Sequence, residues 1–300
     1  MNIATYIKSF NRYRKLFKNW PNLVYSIFKE YFPVTAETRN GNKIIINNRA
    51  QSWIVSEALS RNFNCTFHDD VLSLTYKNRE IMLSSVYDKN NPRIVNGDPI
   101  HVFMEEDYEY LKNGGEACVD IGANIGDSSI WLSLNGFSRV IAVEPYPQNF
   151  VNLMKNVKDN GLEKSITCLN KGLSSSRKNI AIDDRTYVDG QFDIHESKDG
   201  VSVELIGLKD LVAIAEEEEL YLKMDCEGCE YDAILNADSE TLRKFRKIMI
   251  EYHYGFESLE TKLRKCGFNV RHSLPHVHEN PNARNKRMIT GYIYASLERR

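Results

Sequence analysis

Several features are scarce or missing in this chain, and each absence narrows what it can be. Six cysteines among 300 residues (65, 118, 168, 226, 229 and 266) are too sparse for a disulfide scaffold, so a reduced, cytoplasmic setting is expected. No stretch approaches the roughly 18 consecutive apolar residues of a membrane-spanning helix. No hydrophobic core followed by a small-residue cleavage site stands near the N-terminus, so a secretory signal is not expected. Neither sign of charge dominates: 39 basic against 41 acidic residues leave −2, with no global pull towards nucleic acid or an anionic membrane. Internal repeats, low-complexity tracts, a Gly-x-Ser-x-Gly elbow and a phosphate loop are all missing. What is present is an ordinary globular composition, 42% hydrophobic and 27% charged, in a length that suits two domains or one large one.

Residues 1–32 read as two helical segments broken near Trp20-Pro21. Tyr6, Phe10, Tyr13, Phe17 and Trp20 recur at spacings of four, three, four and three, which places them on one helical face, with Lys8, Arg12, Lys15 and Lys18 between them. The favoured reading is a helix packed on its own domain, cationic stems covering apolar surface. The other is peripheral contact with a membrane surface or an acidic partner. Residues 40–100 change character: Ile44–Ile46, Val71–Tyr76 and Ile81–Leu83 look like short strands, with Tyr76-Lys77-Asn78-Arg79 a hairpin loop. From residue 103 helical and strand-like segments alternate. A helix over Phe103–Leu111 leads to strands at 117–121, 139–143, 166–169, 220–224 and 247–250, with helices at 128–134 and 147–160. A helix at 259–266 and strands at 268–271 and 288–295 finish the chain, while Glu216–Glu219 reads as a solvated helix end. Such alternation predicts an α/β fold, a mostly parallel sheet with helices on both faces. The expected division is an N-terminal accessory region, residues 1–100, capping the acceptor side, and an α/β domain over 101–300.

The most telling segment is Val119-Asp-Ile-Gly-Ala-Asn-Ile-Gly126, followed by Val143-Glu144-Pro145 one βαβ unit later. A buried strand ending in a glycine-rich turn, with an acid at the tip of the next strand, is how a doubly wound domain builds a nucleoside pocket. A nicotinamide enzyme would want Gly-x-Gly-x-x-Gly, but here Asn124 stands where a middle glycine would be. Asp120 at the head of the loop would repel a pyrophosphate and suits a ligand with a cationic amine, as in S-adenosylmethionine. Glu144, eighteen residues past Gly126, is placed for ribose hydroxyls.

In five separated blocks, Val119–Asp127, Ala142–Pro147, Asn170–Ser174, Leu222–Glu230 and Ile248–His253, the chain resembles the FkbM-type S-adenosylmethionine-dependent methyltransferases. The resemblance covers roughly residues 100–272, and Lys-x-Asp-x-Glu-Gly-x-Glu at 223–230 is its most family-specific part. It implies a Rossmann-like class I methyltransferase fold and O-methylation of a hydroxyl on a sugar, glycolipid or other small metabolite. Carried over residue by residue, Asp120, Gly122, Asn124 and Gly126 line the methionine side, Glu144 with Pro145 holds the ribose, and the turn Lys171–Leu173 lies near the adenine. Cys226 and Cys229 depart from the small or apolar residues commoner at those places.

Asp225 follows one apolar run, and Glu251 and His253 follow another, so all three fall at strand ends, where open α/β sheets place their chemistry. Methyl transfer to an alcohol needs positioning and a general base. Asp225 and His253 are the candidate catalytic residues, with Glu227 beside them; Asp225 could equally contact the cofactor, and Glu230 is read as structural, complementing a helix N-terminus. Two metal readings are weighed and not adopted: Asp225 with Glu251 chelating Mg²⁺ and a diol, and a zinc site on Cys226-x-x-Cys229 with His272, His276 and His278. The expected partner is a small-molecule or glycan hydroxyl acceptor, with no nucleic acid. An RNA methyltransferase, a domain that binds the cofactor without catalysis, and an oxidoreductase are the rivals.

Overall fold

A computed structural model of the chain describes residues 3–90, 96–182, 200–279 and 287–298; the side chains of residues 3–9, 278 and 279, among them Tyr6, Lys8 and His278, lie outside that description. Contacts divide the chain into two units, Met1–Glu106 and Asp107–Arg300.

The first unit begins with helices α1 (Ile3–Leu16) and α2 (Trp20–Lys29), the second opening on Pro21, whose fixed φ suits a first helical turn. A two-stranded ribbon follows, β1 (Val34–Glu37) with β2 (Lys43–Ile46), then α3 (Arg49–Ser60) and an antiparallel sheet of β3 (Cys65–His68), β4 (Val71–Tyr76) and β5 (Arg79–Leu83). Asn48 caps α3 by accepting from the Gln51 amide at 3.0 Å. Lys77 and Asn78, both at positive φ, close the hairpin at Tyr76↔Arg79 as a two-residue turn that follows the strand twist. Of the aromatic face expected over residues 6–20, Tyr13 and Phe17 are buried, with the Tyr13 hydroxyl 2.8 Å from Ser52 Oγ, while Trp20 is half-buried and Phe10 is exposed. The helix expected over Phe103–Leu111 is two short pieces, a wide turn at Ile100–Glu105 and a single tight turn at Glu109–Leu111. Glu106, in left-handed conformation, separates them, since a residue at that φ cannot continue a right-handed helix.

The second unit is built on one large sheet. Its parallel strands are β6 (Ala117–Ile121), β7 (Arg139–Val143), β8 (Ile166–Leu169), β12 (Leu220–Met224) and β13 (Phe245–Tyr252). Between β6 and β12 run α4 (Asp127–Leu134), α5 (Pro147–Asp159), a small sheet of β9 (Gly172–Leu173), β10 (Lys178–Ile182) and β11 (Val201–Ile206), and α6 (Leu208–Ala215). After β12 come α7 (Cys229–Asn236), α8 (Ser239–Arg243), α9 (Glu257–Lys265), β14 (Asn269–His272), β15 (His276–Glu279) and β16 (Arg287–Ser296). The spatial order is β14-β16-β13-β12-β6-β7-β8, with β15 also on β16; β16 runs antiparallel against β13 and β14. All five residues of β6 and of β12 are buried, as expected of central strands covered on both faces. The strand order reverses between β6 and β12, and such a switch point leaves a crevice at the carboxyl ends of both. The predicted α/β architecture is the observed one, and β6, β7, β8 and β12 occupy the residues expected of them.

Candidate active site

The first half of the site is the turn after β6. Gly122 sits at φ +74°, and a Cβ there would fall 1.7 Å from the Asp225 carbonyl oxygen, so only glycine lets the loop pass against the end of β12. The amides of Gly122 and Ala123 donate to Val143 O at 3.0 and 3.1 Å, fixing the turn to the end of β7. Glu144 accepts from the Asn124 amide at 2.9 Å and from the Tyr146 amide at 3.0 Å. Burial pushes its carboxyl up to about 7, against those two donated bonds. Asn170 donates to the carbonyls of Glu144 at 2.9 Å and Pro145 at 3.0 Å, tying the turn after β7 to the end of β8. Beyond it, Gly172–Leu173 of the turn expected near the adenine pairs with β11.

Asp120 is fully buried and has partners inside the protein. Its Oδ2 accepts from the hydroxyls of Ser128 (2.7 Å) and Ser129 (2.6 Å), and its Oδ1 lies 3.0 Å from Lys223 Nζ. That second contact is an ion pair without the alignment of a hydrogen bond. Lys223, 2% exposed, also donates to Gly122 O at 3.1 Å and stands 5.5 Å over the ring of Tyr108. Burial works to lower the lysine pKa, but Asp120 and Asp225 outweigh it and the net shift is upward. The motif reading missed Lys223 as the partner of Asp120; its signal is a lone cation inside an otherwise apolar strand, which burial makes costly unless it is paired.

The second half lies at the adjacent ends of β12 and β13. Here Asp225, Glu227, Glu230 and His253 come together. His253 is buried; its Nδ1 is 2.9 Å from Glu230 Oε1, its amide donates to the same oxygen at 3.2 Å, and the Gly228 amide donates to Glu230 Oε2 at 2.9 Å. The imidazole Nε2 faces Glu227 Oε2 at 3.4 Å and Asp225 Oδ1 at 3.7 Å. Burial alone would lower the histidine pKa, yet Glu230, Glu227 and Asp225 lift it to about 10, so it is an imidazolium at neutral pH. Burial raises Glu227 to about 7, with His253 pulling down and Asp225 and Glu230 pushing up. Glu227 is also held at φ 54°, a strained conformation for a non-glycine residue that aims its side chain at the histidine. Glu251, opposite Tyr292 on β16, is raised to about 8 by burial and by Asp225. Asp225, Glu227 and His253 offer three donor atoms within 4.8 Å of one another and could hold a metal ion; Glu251 is not part of that group.

Cys226 and Cys229 form a disulfide around Glu227-Gly228, their Cα atoms 5.6 Å apart. This corrects the expectation of reduced cysteines for that pair and removes both thiolates from the zinc reading: a spacing of three at a helix N-terminus brings the two side chains within bridging distance. Cys65, Cys118, Cys168 and Cys266 are free.

A family model described as the methyltransferase FkbM domain matches residues 120–270, which takes in the loop after β6 and both strand ends. No curated protein matches the chain. Among solved structures, the chain is similar to the METTL16 methyltransferase domain (14% identity, 92% of this chain and 90% of that one, TM-score 0.46). It is also similar to an S-adenosylmethionine-dependent methyltransferase from Agrobacterium tumefaciens (11% identity, 88% of each chain, TM-score 0.46). A third is a precorrin-8w decarboxylase from Methanobacterium thermoautotrophicum (14% identity, 70% of this chain and 95% of that one, TM-score 0.40). At this level of likeness, what those proteins act on says nothing about this one.

Proposed function

The chain belongs to the FkbM methyltransferase family, whose cofactor is S-adenosylmethionine, and on that premise we propose that it methylates a hydroxyl group of a sugar, glycolipid or other small metabolite. The residues suit the cofactor: after the Asn124 and Tyr146 amides are satisfied, each Glu144 oxygen keeps a lone pair, the acceptor set that a ribose diol requires. Asp120, Gly122, Asn124 and Gly126 would form the methionine side, with Asp120 and Lys223 acting from beneath as a buried pair that holds the loop. Pro145 would flank the ribose. When bound, the cofactor supplies an electrophilic methyl group on a sulfonium.

The observation that carries the reading is the placing of Glu227, on a strained backbone, beside Asp225 and an imidazolium at the carboxyl ends of β12 and β13. A hydroxyl is a weak nucleophile until its proton leaves, and the best general base has a pKa near the working pH. Glu227, raised to about 7, meets that condition and takes the proton. His253, kept charged by Glu230, holds Glu227 and Asp225 in place and does not itself accept a proton at neutral pH. Asp225 orients the acceptor hydroxyl.

The test is calorimetric titration with S-adenosylmethionine and with NAD, followed by labelled-methyl transfer into sugar, lipid and RNA fractions of the source cell. Binding of the first cofactor and label in a hydroxyl of a sugar or lipid is expected. Label in RNA alone, or in no fraction, overturns the proposal. Asp225→Asn and Glu227→Gln are expected to lose turnover while keeping cofactor affinity.

A further inference from the structure

We propose that α2 docks the protein on an anionic lipid bilayer, lying flat in the headgroup region. The helix buries Leu23 and Ser26 on one side and turns Pro21, Asn22, Tyr25 and Phe28 to solvent on the other, at helical spacing. Tyr25 is 54% exposed, Phe28 76% and, just past the helix, Tyr31 61%. The rings of Tyr25 and Tyr31 meet edge to face at 6.1 Å, and Lys29 Nζ sits 5.8 Å over the Phe28 ring, so the three aromatics and a cation make one patch. Scattered exposed apolar side chains need no explanation, but adjacent ones on a single helix face mark an interaction surface.

Charge identifies the occupant. Residues 1–32 hold six cations (Lys8, Arg12, Arg14, Lys15, Lys18, Lys29) and one acid (Glu30), a surplus of five; the whole chain is −2, so residues 33–300 carry −7. Arg12 is spent on an ion pair with Glu57, and Lys18 faces Glu37 at 3.2 Å, but Arg14, Lys15 and Lys29 are also exposed. A second copy of the same segment, residues 1–32 with a surplus of five positive charges, would bring like charge against like charge, whereas an anionic surface complements it. Tyrosine and phenylalanine on one face with a lysine at the helix end, and further cations on the preceding helix, is the composition of an interfacial segment. Ten residues reach only about 15 Å, half of the roughly 30 Å hydrocarbon core, so the helix lies in the surface and does not cross. No described helix is long and apolar enough to span.

The experiment is co-sedimentation of the full chain with phosphatidylcholine vesicles and with vesicles containing phosphatidylglycerol. Binding to the anionic vesicles, at least tenfold weaker to the neutral ones and weakened by high salt, is expected. Phe28→Ser with Tyr31→Ser should weaken it by roughly tenfold or more. Arg14→Gln, Lys15→Gln and Lys29→Gln together should cost on the order of 100-fold, at about fivefold per charge. Leu274→Ser, at the 82% exposed Leu274 of the other unit, should leave binding unchanged. Absence of binding to phosphatidylglycerol vesicles, equal binding by the aromatic double variant, or a lipid-free dimer that Phe28→Ser dissolves would each overturn the proposal.

Discussion

The two halves of the site handle buried carboxylates differently. At the ends of β6 and β7, Asp120 has two hydroxyls and a lysine, and Glu144 has two backbone amides. At the ends of β12 and β13, Asp225, Glu227 and Glu230 share one imidazole. In the first half the partners are hydroxyls, backbone amides and a lysine fixed in place, and each Glu144 oxygen keeps one further lone pair. In the second, three acids share one cation, and Glu227 is raised to about 7 by burial together with Asp225 and Glu230, against the pull of His253.

Four measurements break or sharpen this contrast. The largest effect is expected from Glu227→Gln, with turnover falling by roughly 10²–10⁴-fold while calorimetry finds S-adenosylmethionine affinity retained. A mutant within fivefold of the parent rate would move the base elsewhere. Next comes Lys223→Met, which strands Asp120 as a buried, uncompensated charge and should cost about 3–5 kcal/mol in urea unfolding. A loss below about 1 kcal/mol would mean that the pair is not holding the loop.

The third is the pH profile of kcat/KM. Glu227 works as a base only when deprotonated, so the rate should rise as pH passes about 7; it should fall again near 10, where His253 loses the proton that organises the carboxylates. A flat profile between pH 6 and 8 (roughly a unit either side of that value) contradicts the assignment. The smallest effect belongs to Glu144. Below about 7 its carboxyl gains a proton and becomes a weaker acceptor, so cofactor affinity should fall by about fivefold on acidification. Glu144→Gln should sit at the weaker value and show no pH dependence in isothermal titration.

Much of the second unit was legible beforehand because its strands are uninterrupted apolar runs with glycine or acidic punctuation, the pattern that burial on both faces imposes. The site was legible as single residues, since strand ends in such sheets carry the chemistry. The partnerships were not. Glu230, expected as a helix-end charge, holds His253 through two bonds that join α7 to the end of β13 across 23 positions of sequence. His253 was read by its intrinsic pKa, and only the three surrounding carboxylates make it a cation. The aromatic stripe over residues 6–20 had the right period but no sign of which neighbour would cover it: Tyr13 and Phe17 are buried, while Phe10 is exposed, as are Tyr25 and Phe28 of α2.

The sequence by itself determined the α/β alternation, the loop from Asp120 to Gly126, and the family, because periodicity, glycine placement and local motifs are properties of neighbouring residues. The tertiary structure decided which charges meet: Lys223 with Asp120 across two strands, Glu230 with His253 across a helix and a strand, and Glu227 with the same imidazole, its carboxyl raised to about 7. Electrostatic energy depends on distance and burial in space, and neither can be read from position along the chain.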